Sequence, residues 1–137
     1  MNYLTYGILD PSFLEECLKD TESGAEAVFI GRVRGTSRGK TVIRMEYEAH
    51  ESLAEKVIDG IVKEAWDKWP VRHLFLKHRI GSLEPGDISI LISVQTAHRE
   101  EAFSACRYLI DQVKLRVPIW KKEFYSDSSQ WLEETPL

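Results

Sequence analysis

Residues 88–124 read ISILISVQTAHREEAFSACRYLIDQVKLRVPIWKKEF, and the change of period inside this stretch decides the fold. Ile88, Ile90, Ile92 and Val94 recur at every second position, the spacing of a strand with one buried face. From about Arg99 the apolar residues move to Phe103, Cys106, Ile110 and Val113, the spacing of a helix over 99–115. Pro118 cannot continue that helix and holds its neighbours extended, so a short strand is expected from Ile119 to Phe124. The same two periods organise the chain upstream. EAVFIGRVR (26–34) alternates as a strand, with Ala27, Phe29, Gly31 and Val33 on one face and Val28, Ile30, Arg32 and Arg34 on the other. GTSRGK (35–40) reads as a flexible polar loop and VIRMEYE (42–48) as a second, antiparallel strand. Leu53, Val57, Ile61 and Ala65, flanked by Ala54, Ile58, Val62 and Trp66, predict a long helix over 51–68, ended by Pro70. A strand over 71–80 follows, then turns at Gly81 and Pro85-Gly86-Asp87. At the start, a short strand over 3–9 precedes Asp10-Pro11, an N-cap followed by proline at the first helical position, and a helix over 11–19. The order β-α-β-β-α-β-β-α-β predicts an α+β domain, mostly antiparallel, with its helices packed on one side.

The 137 residues, 43% hydrophobic and 29% charged, fit one domain spanning 1–137 and disfavour disorder. No apolar run reaches the roughly 20 residues that span a bilayer. The N-terminus has neither a basic segment nor a long apolar one, so no secretory signal is expected and a cytoplasmic protein is the default. Cys17 and Cys106 lie far apart, which disfavours a disulfide scaffold and a cysteine zinc site. The net charge of −4 argues against general nucleic-acid binding. Its distribution is uneven. Residues 31–44 hold Arg32, Arg34, Arg38, Lys40 and Arg44 with no acid, a local +5, and residues 98–122 carry a local +3, leaving −12 for the rest. Such a pattern fits one focused anion site if the two segments meet in space, and equally two solvated basic stretches.

No phosphate loop, GxGxxG, HExxH or GxSxG string occurs, and His50, His73, His78 and His98 never fall at a ligand spacing, so neither a metal nor a cofactor is expected. Lys114 ends the second long helix, where compensation of the helix dipole is a sufficient reason for it. Lys121 and Lys122 follow Pro118; solvated lysines also protect an edge strand, although Trp120 beside them implies partial burial. Arg99 at a helix start opposes the dipole and calls for an anion, either Glu100, Glu101 or a ligand.

The strings FIGRVRG (29–35), YEAH (47–50), HRIGSLEPGD (78–87), VQTAHREEAFSACRYLIDQVK (94–114) and PIWKKE (118–123) together resemble the large, catalytic subunit of molybdopterin synthase, over roughly residues 26–133. The resemblance implies an α/β hammerhead fold with an additional antiparallel sheet. It implies a sulfur transferase that inserts two sulfurs into cyclic pyranopterin monophosphate to make the dithiolene of molybdopterin, in molybdenum cofactor biosynthesis. The sulfur donor it implies is the C-terminal Gly-Gly thiocarboxylate of a small ubiquitin-like partner subunit, in a heterotetramer built on a homodimer of the large subunit. Carried over by position, substrate binding falls on Arg32, Val33, Arg34, His98, Arg99, Lys114, Lys121, Lys122 and Glu123, with Lys114 and Lys121 catalytic and part of the pocket supplied by the neighbouring protomer. The basic loop 35–40 is shorter than the family's, and Arg38 and Lys40 are not assigned to the site. Three rival expectations stand beside this one. The basic face could belong to a binding module for an acidic tail or a nucleotide, or to a purely structural dimer subunit, and the two cysteines could relay sulfur as persulfides. Cys106, on the apolar stripe of its helix, reads better as a buried structural thiol.

Overall fold

The computed structural model describes residues 2–17, 19–126 and 131–137. Its elements follow in the order β1 (Leu4–Thr5), α1 (Phe13–Cys17), β2 (Ala25–Arg32), β3 (Thr36–Ser37), β4 (Lys40–Ala49), α2 (Glu51–Lys68), β5 (Val71–Arg79), β6 (Gly81–Leu83), β7 (Ile88–Thr96), α3 (Arg99–Arg116), β8 (Ile119–Tyr125) and β9 (Trp131–Pro136). Without the short strands β3 and β6 and the terminal β9, this is the predicted order, and the domain is α+β. Two sheets carry it. One runs β1-β5-β7-β2, and the other β3-β4-β8-β9 with β6 also paired to β4. No described helix is long and apolar enough to cross a membrane.

The first sheet is antiparallel at β5–β7 and β2–β7. Ile90, Ile92 and Val94 of β7 face the long helices, whose buried residues include Ile58 and Ile61 of α2 and Leu109 and Val113 of α3. Met45 and Tyr47 of β4, Leu83 of β6 and Ile119 of β8 join the same core, so the second sheet is packed onto the first through shared apolar volume rather than through a linker.

Three packing expectations fail for identifiable reasons. All nine residues of β7 are buried, because the sheet's second face is also covered: Leu14 of α1 packs with Ile88 and Leu91, joined by Leu9, Ile30 and Phe75. The stripe of α3 runs through Ala102, Ala105, Cys106, Leu109, Ile110 and Val113, while Phe103 is 67% exposed. The stripe of α2 is rotated likewise. Ala54, Ile58, Ile61, Val62 and Ala65 are buried, and Leu53 and Trp66 face outward. On both helices small alanines sit against neighbouring elements, where their size permits close approach, and larger residues are left outside.

Residues 36–40 are a tight hairpin in place of the predicted flexible loop. Ser37 pairs with Lys40, and the two residues between them, Arg38 and Gly39, have φ of 53° and 76°. Two successive positive φ values across a two-residue loop are those of a type I′ turn. The predicted strand 3–9 reduces to Leu4–Thr5 and the predicted helix 11–19 to Phe13–Cys17. The side chains of Cys17 and Trp131, and Asp127 altogether, lie outside the described residues.

Candidate functional site

The alternation of β8 decides which of its charged residues can act together. In the β4–β8 pairing Tyr47 lies opposite Lys121 and Met45 opposite Glu123, whereas Glu46 lies opposite Lys122. Directly opposed residues share a face. Lys121 and Glu123 therefore point with Tyr47 and Met45 into the space between the sheets, and Lys122 points the other way, where its Nζ donates to Glu48 Oε1 at 3.0 Å.

Lys114, in the last turn of α3, reaches the same space from the helix side. So do Arg32 and Arg34, from the end of β2 and the residues just beyond it. The resulting cavity, about 260 Å³, is lined by Arg32, Arg34, Lys114, Lys121 and Glu123, with Tyr47, His78 and Ser89 beneath them. The two basic stretches of an acidic chain thus meet at one place, where four cations gather with the Glu123 carboxylate. Gly31 belongs to the same wall, and a Cβ there would stand 2.7 Å from Ile90 Cγ2. No side chain fits at that point without displacing the core.

Backbone and side-chain ties hold the charged groups in position. Arg32 donates to the carbonyl of Gly86 at 2.9 Å, which fixes one guanidinium nitrogen to the turn before β7. Glu123 accepts from the Tyr125 hydroxyl at 2.6 Å. Burial raises the Glu123 carboxyl, but hydrogen bonds from Tyr125 and Ser37 and the charges of Lys121 and Arg38 outweigh it, so Glu123 sits below its ordinary value and is a carboxylate at neutral pH. Arg116, two residues past Lys114, is taken up elsewhere. It forks onto Glu64 of α2 at 2.7 and 2.9 Å, and Arg116, then Tyr108, draw Glu64 down to about 2. With Arg116 completing the helix end, Lys114 is left to face the cavity.

The remaining predicted site residues lie elsewhere in the single chain. Val33 is buried in the core; its N–H donates to the Asp87 carbonyl and its own carbonyl accepts from Gly86, so it positions Arg32 and Arg34 without lining the cavity. His98 is the N-cap residue of α3, without a side-chain capping bond, and Arg99 begins the helix. Arg99 and Lys114 are fifteen positions apart on the helix, about 22 Å along the axis, so His98 and Arg99 cannot meet Lys114 within one chain.

Sequence reading missed the cavity floor. Tyr47, His78 and Ser89 come from β4, β5 and β7, and only the tertiary arrangement brings them together. His78 is 2% exposed. Its Nδ1 stands 2.8 Å from the carbonyl of Arg79, and the Tyr47 ring meets it edge-on at 5.2 Å and 74°. The one available signal was the position of His78 in a run of alternating residues, Leu74, Leu76 and Ile80, that all face the core. Among the described residues no three His, Cys, Asp or Glu side chains cluster to hold a metal ion. The Cys106 thiol is pushed up to about 11 by burial, against a hydrogen bond with the Phe29 backbone, which leaves it a poor nucleophile.

An anion entering this cavity meets two guanidinium groups suited to forked phosphate contacts and two ammonium groups suited to stabilising or moving charge. The chain is similar to known proteins over most of its length. Residues 4–116 match the family described as "MoaE protein". The chain is 39% identical over 116 residues to the molybdopterin synthase catalytic subunit of Pyrococcus abyssi, covering 85% of this chain and 78% of that protein. To the subunit of the same name from Nostoc sp. it is 40% identical over 131 residues, 94% and 79% of the two chains. The crystal structure of molybdopterin synthase from Staphylococcus aureus superposes with a TM-score of 0.86 at 36% identity, covering 96% of both chains.

Proposed function

The chain belongs to the MoaE protein family, an enzyme family of molybdopterin synthase catalytic subunits, and from that premise we propose that it converts cyclic pyranopterin monophosphate to molybdopterin with sulfur brought by a small ubiquitin-like partner. The observation that carries this reading is the convergence of Arg32, Arg34, Lys114 and Lys121 on one cavity. The reaction requires two anions, a cyclic phosphate and a peptide thiocarboxylate, to approach within bonding distance. At ~5 Å and an effective dielectric of about 20 their repulsion is about 3 kcal/mol, which preorganised cations offset.

Arg32 and Arg34 hold the phosphate. The terminal thiocarboxylate sulfur attacks a substrate carbon, forming a C–S bond and an acyl link between substrate and partner as the substrate's oxygen leaves with a proton. Lys114 and Lys121 stabilise the developing negative charge and deliver that proton. Water then cleaves the acyl–sulfur bond, releasing the partner with an ordinary carboxylate and leaving sulfur on the substrate. A second loaded partner supplies the second sulfur.

His98 and Arg99 enter this scheme through a second copy of the chain. The outer stripe of α3 is self-complementary. Phe103 and Leu115, 67% and 78% exposed, stand on either side of an exposed Arg107 and Asp111. A two-fold axis near residue 109 sets Phe103 against the partner's Leu115 and Arg107 against the partner's Asp111. It also brings the start of one α3 to the end of the other, so that His98 and Arg99 complete the partner's pocket. The assembly is then a homodimer with one small subunit at each site.

The test is reconstitution. Mixed with the thiocarboxylated small subunit and the precursor, the chain should yield the dithiolene product with two thiocarboxylates consumed per molecule. Binding of either component with no turnover would instead favour a non-catalytic capture module.

A further inference from the structure

The cavity floor holds a group that the charged rim does not explain. His78 occupies a β5 position at which a leucine would satisfy the core, as at Leu76. A polar ring buried there costs free energy unless its hydrogen-bonding atoms are used. One of them is: at 2.8 Å from the Arg79 carbonyl, Nδ1 must carry the proton, because only an N–H can donate to a carbonyl oxygen. The lone pair of the neutral ring is thereby fixed on Nε2. The ring meets Tyr47 from β4 edge-on and feels the charge of Lys114 from α3, and it shares the cavity lining with Lys121 and Glu123 from β8 and with Arg32 and Arg34. Burial, reinforced by the charge of Lys114 and opposed by the bond to Arg79, pushes the imidazole down to about 4, so it is neutral at pH 7.

The donor-to-acceptor balance of the cavity gives the neutral ring its use. Arg32, Arg34, Lys114 and Lys121 only donate. Glu123 accepts from Tyr125 and Ser37. Ser89 donates to the Gly31 carbonyl at 3.2 Å and is hydrogen-bonded with Tyr47. A cavity so rich in donors suits the phosphate of a ligand, and for a nitrogen heterocycle, whose edge presents N–H donors of its own, the neutral ring adds an acceptor on the floor beside the Glu123 carboxylate.

We propose that His78 is a substrate-binding residue, whose Nε2 accepts a hydrogen bond from a ring N–H of the heterocycle and so orients it on the cavity floor beside Lys114. This inference rests on the reaction assigned above and adds to it the acceptor that reads the substrate's ring. A purely structural histidine, tying the end of β5 through Nδ1, would need no lone pair at Nε2.

Two substitutions separate the roles. His78→Asn keeps an amide N–H near the Nδ1 position and removes the acceptor at the Nε2 position; His78→Gln places an amide oxygen near Nε2. In the reconstituted reaction, His78→Asn should raise KM for the precursor about tenfold with the thiocarboxylated partner's KM unchanged, and His78→Gln should return it to within about threefold of the parent. In the parent protein labelled with 15N-histidine, saturating precursor should shift the Nε2 resonance of His78 and leave Nδ1 in place. An unchanged KM in His78→Asn, or an Nε2 resonance that stays put at saturation, overturns the inference. Failure of the parent protein itself to turn over the precursor counts against the assigned reaction instead, and the labelled spectrum with precursor alone still decides whether Nε2 is engaged.

Discussion

Replacing Lys114 with alanine removes one of four cations from the cavity while leaving the fold in place. The side chain is exposed and sits in the last turn of α3, so its structural contribution is at most the dipole term, about 0.3–1 kcal/mol. Arg116 remains at the same helix end, anchored to Glu64. Catalytically the change is larger. A unit charge ~5 Å from the negative charge that develops as oxygen leaves contributes about 3 kcal/mol at an effective dielectric near 20, a factor of roughly two hundred in rate. Solvent at the cavity mouth screens part of this, so a hundredfold fall in kcat is the expected outcome. The assay is dithiolene formation from purified components under saturating precursor, with thermal unfolding of the variant as control and pull-down of the small subunit as a check on assembly. A variant that folds, binds its partner and turns over within threefold of the parent would refute the placement of Lys114 at the reacting atoms.

Other expectations follow from different parts of the molecule. Arg34→Glu should raise KM for the precursor at least tenfold without altering partner binding, measured by titration calorimetry with each component separately. Phe103→Asp should shift the species seen in sedimentation from dimer to monomer and lower turnover, because it breaks the self-complementary stripe of α3; a dimer that persists would relocate the interface. Ile92→Ala removes a fully buried side chain and should cost about 2–5 kcal/mol, read as a fall in Tm of roughly 10 °C. Because His78 is held near 4 in the folded state and titrates at about 6.5 when unfolded, the unfolded chain takes up its proton first as pH falls. The stability this group confers is present above pH 6.5 and is lost as pH falls through 4, by about 3 kcal/mol in all. His78→Asn should flatten that part of the stability profile, measured by urea unfolding at stepped pH.

Much of the architecture was legible because it is written in local periods. The shift from alternation to helical spacing between Thr96 and Arg99 marks the β7–α3 junction, and Pro118 marks the start of β8. What was not legible depended on partners distant in sequence. The outward turn of Phe103 and Leu53 follows from which neighbours α2 and α3 meet, and the full burial of β7 follows from α1 crossing its other face. Strands β3 and β6 are too short to show a period, and both exist because β4 pairs with them. For the site, charge clustering identified the two basic stretches that line the cavity, since clustered like charges need no tertiary information to be noticed. It could not separate Lys121 from Lys122, which face opposite sides of the sheet because of the β4–β8 register. It also passed over His78, whose chemistry lies in burial and in a single bond to Arg79.

The most direct test of the account is a crystal structure of the chain with the precursor bound. It should place the phosphate against Arg32 and Arg34 and the reacting carbons between Lys114 and Lys121. Electron density for the precursor outside this cavity, for example in the apolar groove between β2 and α3 lined by Val28 and Phe103, would contradict the claim that the two basic stretches form a single catalytic pocket.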